Sequence, residues 1–175
     1  MKRTISILLL AFALALTASA QTARFVGESL VISDGGHRIR LPDIIQQHPI
    51  ARCVHAVRKR QADYYVLFGA SEWSRGYPPR NGNCGAGVES HITWLHVRDG
   101  KVLDRKVALY ESCFTNRDGW ALGWHGSLFT VETEDLVEDS ARADKAAVWQ
   151  TLKWTFDVRR PDAAFTEEQK EHTNP

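Results

Sequence analysis

Ser90-His91-Ile92-Thr93-Trp94-Leu95-His96-Val97, the turn Arg98-Asp99-Gly100-Lys101, and the run from Val102 to Ser112-Cys113 decide how this chain folds. The first run is rich in β-branched and aromatic residues and alternates, with Ile92, Trp94 and His96 on one face and Thr93, Leu95 and Val97 on the other. Asp-Gly between two such runs is the strongest short hairpin signal, because both residues accept the positive φ of a tight turn. Neither face of the second strand, Val102 to Cys113, is purely polar, so the sheet that contains it should be covered on both sides or closed on itself. On the second strand, strict alternation puts Val107, Leu109, Glu111 and Cys113 on one face and Ala108, Tyr110 and Ser112 on the other.

Similar runs recur about every ten residues on either side. Ser29–Ser33 and His37–Leu41 flank Asp34-Gly35-Gly36, and Arg52–Lys59 and Tyr64–Ala70 flank Arg60-Gln61-Ala62-Asp63. Trp120–Glu132 reads as a strand pair or one bent strand. Ala146–Val158 places Val148, Gln150, Leu152, Trp154 and Phe156 on a core face. Pro42–His48 could make one helical turn, and the charged stretch from Glu132 to Lys145 reads as a loop or short helix. The expectation is an all-β fold, an antiparallel sandwich or small barrel of short hairpins with at most one short helix. It forms one domain over residues 21–160, and the polar residues 161–175 are expected to be a frayed tail.

The basic start Met1-Lys2-Arg3, the apolar run Ile5–Leu16 and the small residues Thr17-Ala18-Ser19-Ala20 form a secretory signal over residues 1–20. The expected location is therefore periplasmic or secreted, with no stable membrane anchor after cleavage. Loss of Lys2 and Arg3 turns a net charge of +1 into −1, which argues against nucleic acid as a partner.

Of the three cysteines, Cys84 and Cys113 are expected to pair in an oxidising compartment. That bond would close a loop of about 30 residues and contribute ~3–4 kcal/mol. Cys53, inside a strand-like run, is expected to be a buried thiol. Pairing disfavours Cys84 as a nucleophile, although Asn83-Cys84-Gly85-Ala86-Gly87 would suit an oxyanion and His91 or His96 a base.

Metal and cofactor binding are not expected. His91 and His96 lie on opposite faces, Cys53 and His55 share a face but number only two, and the acids from Glu132 to Asp139 lack a calcium-loop glycine. What remains is aromatic. Trp73, Arg75, Tyr77 and Arg80 in one loop, with Trp120 and Trp124 beside glycines, are the residue types that dominate binding surfaces. The functional expectation is a binding protein, such as an inhibitor or immunity-type protein with a partner in the cell envelope, presenting the loop Ser71–Asn83. Alternatives are a glycan or cell-wall-binding domain and a small cysteine hydrolase using Cys84.

Overall fold

A computed structural model describes residues 21–45, 50–73, 88–112, 117–138 and 147–172. Residues 1–20, expected to be a secretory signal, and both Cys84 and Cys113 lie outside the described residues.

Every hairpin anticipated from alternation is present, and the fold is all-β and antiparallel. A three-stranded sheet contains β1 (Thr22–Val26), β2 (Ser29–Asp34) and β3 (His37–Leu41). An eight-stranded sheet runs in sequence order through β4 (Ala51–Arg60), β5 (Asp63–Trp73), β6 (Val88–Arg98), β7 (Lys101–Ser112), β8 (Arg117–His125), β9 (Leu128–Glu138), β10 (Ala147–Asp157) and β11 (Phe165–His172). Neither sheet closes into a barrel. Asp99 and Gly100 both take positive φ, 51° and 72°, as a tight two-residue turn between right-twisted strands requires.

Two cores lie on opposite faces of the same central strands. One face of β5 and β6, through Tyr64, Val66, Phe68, Leu95 and Val97, packs under Leu30, Ile32 and Leu41 of the small sheet. The other face, through Tyr65, Leu67, Ile92 and Trp94, packs against Phe129, Val131, Leu152, Trp154 and Phe156 of β9 and β10. The large sheet therefore folds back on itself, and the molecule has three layers. The fold occurs between β7 and β8, which share a single register pair, Ser112 with Arg117.

Four expectations are corrected. Residues 161–175 are not simply a frayed tail: Pro161–Ala163 form a 3-10 turn and β11 pairs along β10 from Phe165 opposite Phe156 to His172 opposite Trp149. The acidic stretch is not a loop at its start, because β9 continues to Glu138, with Glu132 ion-paired to Lys153 at 2.6 Å. Cys53 is exposed rather than buried. Face assignments fail at bulges, each of which adds one residue against its partner strand. His55 is the extra residue on β4, and Leu103 and Tyr110 are the extra residues on β7. Beyond Tyr110 the alternation inverts, so Glu111 joins the face of Ser90 and its carboxylate accepts a hydrogen bond from the Ser90 hydroxyl at 2.8 Å.

Gly119 lets β8 lie on β7. A Cβ there would sit 2.6 Å from Tyr110 Cδ2 and 2.9 Å from the Tyr110 carbonyl oxygen. The carbonyl is main chain, so relieving the clash would require one of the two strands to shift. Gly119→Ala is expected to lower unfolding stability by about 1–3 kcal/mol, read as a lower denaturant midpoint; an unchanged midpoint would show that the strands do not touch there.

Candidate functional site

The junction of β7 and β8 is built around one guanidinium. Arg117 opens β8, makes a two-pronged ion pair with the buried Asp135 carboxylate of β9, and donates from Nη1 to the Leu109 carbonyl at 2.5 Å. It also lies 5.9 Å from the Trp154 ring centroid. Arg117 thus joins β7, β9 and β10 with fixed planar geometry that a lysine could not reproduce.

Away from this clamp the two strands part. Lys101–Glu111 pair with β6 alone, and Ala121–His125 pair with β9 alone. Among the described residues each strand therefore leaves one backbone edge without a ladder partner along these stretches, a state that sheets usually cover or blunt. Exposed apolar side chains concentrate on the same two strands. Of the seven large hydrophobic residues exposed among the described residues, five are on these two strands: Val102, Leu103, Val107, Leu122 and Trp124. Leu122 and Trp124 stand opposite Val131 and Phe129, so they continue the inward face of the second core out to its open lip, where they are 47% and 44% exposed. Trp124 meets Phe129 edge to face at 5.2 Å.

Comparison with protein-family models, curated proteins and solved structures finds no match for this chain.

Of the residues singled out in the sequence, Arg75, Tyr77, Arg80, Cys84 and Cys113 lie outside the described residues, as do the side chains of Trp73 and Trp120. Trp73 ends β5, and Trp120 is on β8. Trp124 lies on β8 and is exposed. Leu122 was missed; its signal was its spacing of two from Trp124 on a strand whose partner carries Phe129 and Val131.

The histidines serve packing. His55, turned inward by the β4 bulge, lies 4.4 Å from the Phe129 ring and fills the space above Gly69, so Cys53 and His55 do not converge. His96 stacks on Tyr65 at 4.9 Å, and its Nε2 is 3.0 Å from Asp63 Oδ1 without the alignment of a hydrogen bond. Asp63 instead takes both prongs of Arg98, at 2.6 and 2.7 Å. Among the described residues no group of three or more potential metal ligands converges.

Burial pushes the imidazoles of His55 and His91 below the ordinary value of 6.5. Their stabilising contribution is complete above that value and declines as pH falls through it, because the unfolded chain takes up the proton first. Asp63 behaves likewise lower down: Arg98 and then His96 hold its carboxyl at about 2, so its contribution is lost as pH falls from 3.8 toward that value. Denaturant midpoints measured from pH 7 to pH 2 should fall in two stages, and His55→Gln should shrink the upper stage; a flat profile between pH 7 and 5 would refute the buried, neutral histidines.

Proposed function

We propose that this protein is exported and works by binding a protein in the cell envelope, receiving an extended segment of that partner between β7 and β8. The observation that carries the reading is the coincidence of two unpaired strand edges with five exposed apolar side chains. An added strand would pair with edge N–H and C=O groups that have no ladder partner among the described residues and set alternate side chains on the two faces, against Val107 on one and Leu122 and Trp124 on the other. The exposed part of β7 carries Lys101, Arg105 and Lys106 against one acid, Asp104. Like charges facing one another discourage β7 from pairing with a second copy of itself, whereas an acidic, partly apolar segment is matched.

The Cys84–Cys113 bond belongs to this reading. Glu89 stands opposite Ser112, so the chain segments leading to the two cysteines leave the sheet from neighbouring positions. A thiol count on the native, unreduced protein should find one reactive group, the exposed Cys53, and three after reduction and unfolding. Three in the native state would restore the cysteine-hydrolase alternative.

The binding test compares wild type with Leu122→Asp and Trp124→Ser, using Val26→Ser, an exposed apolar site on β1, as control. A partner recovered from envelope extract should be lost with the first two and kept with the control. Added back, it should slow amide hydrogen exchange over residues 102–106. Retention by Leu122→Asp, or protection confined elsewhere, refutes the slot; loss only on changing Trp73 or Tyr77 would move the surface to the loop Ser71–Asn83.

A further inference from the structure

Three hairpin turns, Gly35-Gly36, Gln61-Ala62 and Asp99-Gly100, meet at one end of the molecule. Between the outer edge of β3 and the turns of the large sheet they leave a cleft of about 550 Å³, within the ~300–1,000 Å³ usual for small-molecule sites. Its polar wall is made by His37, Arg38, Lys59, Gln61, Tyr64 and Asp99.

Lys59 is held in place. Its ammonium donates to Asp34 Oδ2 at 2.6 Å, and the same oxygen accepts the Tyr64 hydroxyl at 2.9 Å. An ammonium has three donors, so fixing the side chain this way leaves it able to donate toward the cleft. Arg38 is exposed, and no described residue makes an ion pair with it. The same recess is lined by Asp99, which sits in a left-handed turn at φ 51° and whose carboxylate can only accept. The cleft is thus lined by a charged fork and an ammonium together with an acceptor, an amide and an imidazole.

Charge alone does not suit this wall. A bare anion would meet Asp99, with Asp34 behind Lys59, and a neutral polyol would leave Arg38 unmatched. The complementary ligand carries one carboxylate for Arg38 and Lys59 and neighbouring hydroxyls for Asp99, Gln61 and His37. We infer that the turn-end cleft binds a sugar acid. A second recess of about 350 Å³, lined by Thr22, Ser33 and the Gly35-Gly36 turn, adjoins it across His37 and Arg38 and gives room for a further sugar unit.

The test titrates the full chain with D-glucuronate, D-glucose and acetate, following backbone amide chemical shifts. Glucuronate should shift the amides of residues 37–38, 59–64 and 99–100, with glucose and acetate each binding at least about tenfold more weakly. Arg38→Ala removes a charge-assisted contact from an exposed position and should weaken glucuronate binding about 10- to 100-fold. No shifts, equal binding of glucose or of acetate, or unchanged affinity in Arg38→Ala would each overturn the assignment. Leu122→Asp should leave glucuronate binding unchanged, so failure here is separate from failure of the partner slot.

Discussion

Burial on both faces of β5 and β6 governs the rest of this structure. From Asp63 to Ala70 every residue of β5 is buried, and Ile92 to Leu95 repeat the condition on β6. A strand sends successive side chains to opposite faces, so such a run needs a covering layer on each side. Burying each large apolar side chain stabilises by ~1.5–3 kcal/mol, so neither face can be left open. The small sheet is wide enough for one face only. The other must be covered by the C-terminal half of the large sheet, which obliges that sheet to double over.

Doubling over interrupts a ladder, and the chain confines the interruption to one place. At Ser112 and Arg117 the ladder is reduced to a single pair, and the Arg117 side chain takes over part of its work by donating to the Leu109 carbonyl and pairing with Asp135. Removing one partner of such a buried pair typically costs about 3–5 kcal/mol. The bend is therefore a fastened joint. What remains unfastened is the stretch beyond it, where β7 and β8 diverge with their edges bare.

The parts of this architecture legible in the sequence are those written as alternation. Alternation along β6 separated Ile92 and Trp94 from Leu95 and Val97, the residues that enter the two cores, and Asp99-Gly100 marked the hairpin turn. Alternation gave no access to β11, whose Thr166–Glu171 segment is wholly polar; only Phe165 is apolar, and Trp154 Nε1 donating to Glu167 at 2.9 Å helps hold the strand to β10. Bulges were equally silent, because one extra residue at His55, Leu103 or Tyr110 changes the facing of its neighbours without changing composition. At the candidate site, Trp124 stood out for its glycine neighbour, whereas Leu122 looked like ordinary core until β9 showed what it faces.

Scattered exposed hydrophobic residues are normal on a protein surface and explain nothing. Their concentration on two strands that lack a mutual ladder is a different matter, because polar and apolar demands are then unmet at the same place. Water can satisfy the backbone groups but leaves Leu122, Trp124 and Val107 exposed; a loose apolar cover would bury the side chains but strand the backbone. An extended segment satisfies both at once, and the cations of β7 make it costly for that segment to be another β7. The same doubling that completes the second core therefore creates the surface on which we propose that an acidic strand docks.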